Sequence, residues 1–123
     1  MPTILMIDDD KDFSGLASAH FNGLGYTMVL AHDGADGLAK AGVVKPDLIF
    51  LDIAMPGMNG LEVLRELQAA DETSDIPVII ISGKYFDPGM SELFRQERNF
   101  RAFVGKPVAF AALQQKVEAV LKK

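Results

Sequence analysis

Five short segments of apolar and β-forming residues punctuate this chain, and the places where they stop constrain its fold more than any other feature. Ile4 to Ile7 stops at Asp8, Leu48 to Leu51 stops at Asp52, and Pro77 to Ile81 ends at Ser82. Tyr26 to Leu30 is rich in β-formers, and Ala102 to Gly105 is followed by Lys106. Four of the five do not alternate between apolar and polar residues. A strand that is apolar on both faces is buried on both faces, as in a parallel sheet covered by helices.

The intervening segments carry helical spacing. Asp12 is read as the N-cap of a first helix with Phe13, Leu16, Ala17, His20, Phe21 and Leu24 on one stripe, ended by Gly23 and Gly25. An Ala-rich helix is expected over 34–43, closed by Lys45-Pro46, and Leu61, Leu64 and Leu67 mark a third. A short fourth helix is expected near Ser91 to Glu97, within the irregular stretch from Gly83 to Asn99. Phe110, Leu113, Val117, Val120 and Leu121 share a face of the last helix, and Lys122 and Lys123 suit its C-terminal dipole. Strand–helix alternation with right-handed crossovers implies an α/β fold. The expected architecture is a doubly wound, five-stranded parallel sheet of order 2-1-3-4-5, a flavodoxin-like three-layer (βα)5 unit.

A chain of 123 residues with 49% hydrophobic content is one domain with a sizeable core. The absence of cysteine excludes disulfides, thiolate metal sites and a Cys nucleophile. A net charge of -5 disfavours direct nucleic-acid binding. No signal peptide or membrane span is read, so a cytoplasmic, membrane-free protein is expected.

Polar residues gather where the strands end. Asp8 and Asp9, Asp52, Ser82 and Lys106 follow or close strands one, three, four and five, and all those ends share one sheet edge at a topological switch point. Taken singly, each is ordinary: an acidic helix-capping turn, a capping Asp, a Ser-Gly turn, an exposed Lys before Pro. Their joint placement is the signal. Clustered carboxylates repel one another, and a hard cation held by oxygen ligands alone, Mg²⁺ by cellular default, keeps them ionised. A metal, an ammonium and a hydroxyl around one carboxylate suit in-line phosphoryl transfer onto Asp52, giving an acyl phosphate.

At these residues the sequence resembles the receiver domain of two-component response regulators, through ILMIDDD, LIFLDIAMPGMNGLEVLREL, VIIIS and FVGKP, over nearly the whole chain. The resemblance implies that Asp52 is the phosphoacceptor and one of the metal-site residues, with Asp9 the direct Mg²⁺ ligand. Asp8 would help through water, and the Ala54 backbone carbonyl would complete the protein ligands. Ser82 and Lys106 would bind phosphoryl oxygens. Phe103 would be the switch aromatic, and the Lys106-Pro107 bond would be cis. It also implies a sensor histidine kinase or histidine phosphotransfer protein as donor, a downstream protein target, and a monomer or weak homodimer. Residues 1–123 are read as one receiver domain, free-standing or cut from a longer regulator.

The pattern departs from the family at several points. Phe103 stands where Tyr is common, Ser82 where Thr is frequent, and Gly83 where Ala is usual. Asn99-Phe100-Arg101-Ala102 lacks the usual Gly-Ala and makes the region slightly long. By the same resemblance, Ala54 and Lys84 stand where side chains of the family flank the path of hydrolytic water, and a slow self-dephosphorylation is expected because Ala54 cannot orient that water. His20 is read as a packing residue and His32 as a loop residue. Glu92, Arg95, Glu97, Arg98 and Arg101 are read as a solvated mixed-charge face, with a partner surface as the alternative. Three other readings compete with the first. A degenerate receiver that only binds protein should have lost part of the Asp8, Asp9, Asp52, Ser82 and Lys106 set. A haloacid-dehalogenase-like phosphatase needs an acid at the position of Ala54, and a flavodoxin-like cofactor carrier would not place three aspartates at its phosphate loop.

Overall fold

The computed structural model describes residues 2–53, 60–82, 94–105 and 109–121. Along these residues run β1 (Thr3–Ile7), α1 (Lys11–Gly23), β2 (Thr27–Ala31), α2 (Gly34–Val44), β3 (Leu48–Leu51), α3 (Gly60–Ala69), β4 (Val78–Ser82), β5 (Phe100–Gly105) and α4 (Phe110–Leu121). The strands form one parallel sheet in the order β2-β1-β3-β4-β5, as the apolar runs led us to expect. Of the helix expected near Ser91 to Glu97, only the part from Phe94 lies within the described residues. There Phe94 and Arg95 are helical and the chain turns from Gln96.

Every residue of β3 and β4, and all of β1 after Thr3, is buried. Alternate residues of these strands feed two separate cores. Leu5, Ile7, Ile49, Leu51, Val78 and Ile80 pack under α2 and α3 with Ala41, Val63, Leu64 and Leu67. Ile4, Met6, Leu48, Phe50, Ile79 and Ile81 pack under α1 and α4 with Ala17, Phe21, Leu113 and Val117. The uninterrupted apolar runs are thus two period-two patterns superimposed, one for each face.

Two local features of α1 correct the sequence reading. Asp10, not Asp12, is the N-cap: its backbone is extended and its carboxylate accepts the Phe13 N–H at 3.0 Å. Asp12 lies inside the first turn, where its charge still complements the exposed N–H groups. Leu16 is 63% exposed and Leu24 is 44% exposed, so neither belongs to the core stripe. At 3.6 residues per turn Leu16 projects about 140° away from Phe21, and Leu24 is already the C-cap. The helix ends as expected at its glycines. Gly25 has φ 97°, and the Gly25 and Tyr26 N–H groups bond back to the Asn22 and Phe21 carbonyls at 3.0 and 3.1 Å.

α2 is capped by Asp33, whose carboxylate accepts the Asp36 N–H at 2.7 Å. Lys45, in the left-handed region at φ 51°, ends it before Pro46. β5 begins at Phe100, two residues earlier than its apolar run suggests. Val78 pairs with Phe100 but Ile79 pairs with Ala102, so Arg101 is an extra residue taken up as a β-bulge. The length surplus noted before strand five is therefore accommodated inside the strand.

Phe50 is fully buried, with its ring 5.5 Å from that of Phe21, and joins the central strand to α1. Phe50→Ala is expected to lower the unfolding free energy by about 3–5 kcal/mol. Urea denaturation measures it; a loss below about 1 kcal/mol, the size of an average substitution, would contradict the packing described.

Candidate functional site

The site is assembled by main-chain pairing before any side chain takes part. Asp8 follows β1 directly, and its N–H bonds to the Ala31 carbonyl of β2 at 3.0 Å. Asp52 follows β3, and its N–H bonds to the Ile7 carbonyl of β1 at 2.9 Å. Two bonds of the sheet ladder thereby set the two carboxylates side by side at the switch point between β1 and β3.

Asp8 is fully buried, Asp52 is 6% exposed, and Asp9 is exposed to solvent. One carboxylate oxygen from each lies within 4.8 Å of the other two, which makes Asp8, Asp9 and Asp52 a group able to hold a metal ion. Two oxygens on opposite sides of a Mg²⁺ ion are about 4.2 Å apart, given bonds of about 2.1 Å. The cluster fits that ion with small side-chain rotations, or with one carboxylate joined through water. Carboxylate oxygens, with no imidazole or thiolate among them, are the donor set of a hard cation. Ser82 closes β4 and is 2% exposed, and it pairs in register with Gly105 at the end of β5. Ala54, Gly83, Lys84 and Lys106-Pro107 lie outside the described residues.

Several supporting residues were not singled out by sequence reasoning. The Asp10 N–H donates to Asp8 Oδ1 at 2.9 Å, which orients the buried carboxylate, while the Asp10 side chain caps α1. The third aspartate of the acidic run is therefore a brace. His32 is more than a loop residue: its Nδ1 lies 3.1 Å from the Asp8 carbonyl oxygen and ties the end of β2 to the acidic turn. Gly60 opens α3, and its N–H bonds to the Ile53 carbonyl at 3.2 Å. A Cβ at this position would stand 2.5 Å from the Ile53 Cα, so only glycine permits the close approach.

Phe103, the aromatic singled out as a switch, is half-buried on β5. It packs against the core under α3 and meets Phe94 edge-on with ring centroids 6.3 Å apart. Phe94, 2% exposed, also contacts Phe100. His20 is a packing residue as expected, stacked on Phe110 at 5.3 Å and edge-on to Phe21 at 5.1 Å. Of the charged face, Glu97 pairs with Arg65 at 3.5 Å and accepts from Gln68, which pins α3 to the segment before β5.

An acidic cluster at the switch point of a 2-1-3-4-5 sheet is the arrangement expected of a signalling receiver. The family model for the response regulator receiver domain matches residues 4–118, and the chain belongs to that family, which serves two-component signalling. It is 36% identical over 121 residues to protein PilH of Pseudomonas aeruginosa, covering 98% of each. With RpaA of Synechocystis, a DNA-binding dual master transcriptional regulator, it shares 32% identity over 131 residues; the match takes in all of this chain but 50% of that protein. The fold superposes on chemotaxis protein CheY4 of Vibrio cholerae with a TM-score of 0.91 at 24% identity, covering 98% and 99% of the two chains. No helix among the described residues is long and apolar enough to cross a membrane.

Gly60→Ala is expected to destabilise the protein by about 1–3 kcal/mol through overpacking against main chain and to disturb Asp52 next to Ile53. Chemical denaturation gives the first effect and Mg²⁺ titration the second. Wild-type values for both would remove the close approach from the account of the site.

Proposed function

We propose that Asp52 accepts a phosphoryl group from the phosphohistidine of a sensor histidine kinase or histidine phosphotransfer protein, in a Mg²⁺-dependent reaction that switches a protein-binding surface. The observation that carries this reading is the convergence of Asp8, Asp9 and Asp52 within 4.8 Å at the β1/β3 switch point. Residues 1–123 form the receiver domain in this reading, acting in the cytoplasm on a downstream protein. The chain catalyses only its own phosphorylation and dephosphorylation.

Asp52 attacks phosphorus in line. A P–O bond forms to its carboxylate as the P–N bond to the donor imidazole breaks, and the electron pair of that bond returns to the ring nitrogen. Asp9 would hold the cation directly and Asp8 through water, with Asp52 and the Ala54 carbonyl as the further ligands. When bound, the cation neutralises charge on the transferring oxygens. Burial of Asp52 keeps bulk water from competing with the donor. Ser82 donates its hydroxyl to one phosphoryl oxygen and Lys106 its ammonium to another.

Relay to the surface follows the β4–β5 pairing. Ser82 lies opposite Gly105, and Ile80 lies opposite Phe103. A shift of Ser82 toward the phosphoryl group therefore loosens the strand partner that carries Phe103. Without a hydroxyl, Phe103 exchanges states through burial against Phe94 rather than by remaking a hydrogen bond.

Incubation with Mg²⁺ and acetyl phosphate is expected to add one base-labile phosphoryl group, read by intact mass. Asp52→Asn or chelation of the metal should abolish it. An adduct that persists in Asp52→Asn would reject the assignment.

The phosphorylated form is expected to lose its phosphoryl group slowly, because Ala54 cannot orient attacking water. Decay followed by mass alongside a fast chemotaxis regulator tests this, and equal half-lives would overturn it. Introducing an amide with Ala54→Asn is expected to shorten the lifetime.

A further inference from the structure

The opposite edge of the sheet carries a second polar site. A cavity of about 270 Å³ is lined by Ser74, Asp75, Arg98, Asn99 and Arg101, where the chain enters β4 and β5. Asn99 is 1% exposed, and both its Oδ1 and Nδ2 are buried without a hydrogen-bond partner among the described residues. Its carbonyl is committed to the fold, accepting the Val78 N–H at 2.8 Å and opening the β4–β5 pairing. A buried amide left unpaired is costly in a folded protein and calls for an explanation.

The chemistry around it is directional. An asparagine amide offers an acceptor beside two donors, a match for the paired donor and acceptor on the edge of a nucleobase. Arg98 and Arg101 are exposed guanidinium groups suited to a phosphate. Arg98 Nη2 donates to the Ser74 carbonyl at 3.3 Å and lies 3.5 Å from Asp75 Oδ1. Arg101 Nη1 donates to the Arg98 and Phe100 carbonyls at 2.7 and 3.2 Å. These bonds use part of the donors of the two arginines, both of which line the cavity. Asp75, whose side chain is 96% exposed, is an acceptor at the rim of the type that takes sugar hydroxyls. Two guanidinium groups against one carboxylate leave the site cationic.

We propose that this cleft binds a nucleoside monophosphate, with Asn99 reading the base edge, Asp75 the ribose hydroxyls, and Arg98 and Arg101 the phosphate. The exposed arginine side chains yield on binding and uncover the Asn99 amide. Arg101 is the unpaired residue of the β5 bulge, so its main chain takes no regular place in the β4–β5 register beside the cavity. The site is independent of the acidic pocket, so it stands or falls apart from the role proposed for Asp52.

The test is an NMR titration of isotope-labelled protein with AMP, GMP, CMP and UMP, and separately with inorganic phosphate. At least one nucleotide is expected to give saturable shifts that include the Asn99 side-chain amide, with phosphate alone binding more weakly. Asn99→Leu should weaken that nucleotide by about tenfold, the worth of a lost hydrogen-bonded edge. Arg101→Ala, at an exposed position, carries the same expectation should Asn99→Leu fail to fold. Asp52→Asn should leave binding unchanged. The absence of saturable shifts would mean that Asn99 is satisfied by water alone, and the proposal fails. It fails equally if phosphate matches the nucleotides or if Arg101→Ala binds as wild type does.

Discussion

One backbone hydrogen bond governs this molecule: the Asp52 N–H to the Ile7 carbonyl, 2.9 Å long, at the end of the β1–β3 pairing. It fixes where the central strand stops relative to its neighbour, and so fixes the separation of two buried carboxylates. The side chains cannot choose that separation for themselves, because like charges at this distance resist approach. Apolar burial of β1, β3 and β4 on both faces supplies the force that holds the ladder in register. The acidic cluster is thus an electrostatically unfavourable arrangement carried by a hydrophobic sheet, the kind of local conflict by which functional sites are recognised.

That division of labour explains what was legible in the sequence. The apolar runs revealed the sheet, its order and the shared edge of Asp8, Asp9, Asp52 and Ser82, because periodicity and strand ends are local properties of the chain. Helix caps were less accessible. Asp10 and Asp12 are both acidic residues near the start of one helix, and only the extended backbone of Asp10 selects it. Leu16 was misplaced because a leucine counts as apolar wherever it stands, whereas its angular position about α1 faces solvent. The β5 bulge needed the register of a strand remote in sequence. The roles of His32 and Gly60 depend on non-local contacts with Asp8 and Ile53, which no spacing rule reveals.

The two ends of the sheet contrast in charge and construction. The carboxyl ends of β1 and β3 gather aspartates at a switch point, the usual place for ligands in such folds. The amino ends of β4 and β5 gather arginines and one buried amide at the edge of the sheet. Gln68 and Arg65 of α3 tie the segment between them through Glu97 and the Arg98 N–H. α3 begins at Gly60, bonded to Ile53 next to Asp52, and closes where Thr73, 4% exposed, donates its hydroxyl to the Leu67 carbonyl at 2.6 Å. α3 is thus bonded at its start to the residue after Asp52 and, through Arg65 and Gln68, to the segment that enters β5.

The bulge at Arg101 has a consequence for how chains of this design can vary. Side chains in a strand alternate faces, so one residue added to β5 would ordinarily turn every later side chain to the wrong side. Here the surplus residue is absorbed before Ala102, and Ile79 to Ser82 meet Ala102 to Gly105 without a further slip. Phe103 therefore faces the same core as Phe100, in contact with Phe94. The edge strand behaves like a ruler with its play confined to one end: insertions at the arginine-bearing end leave the graduations at the aspartate-bearing end where they were.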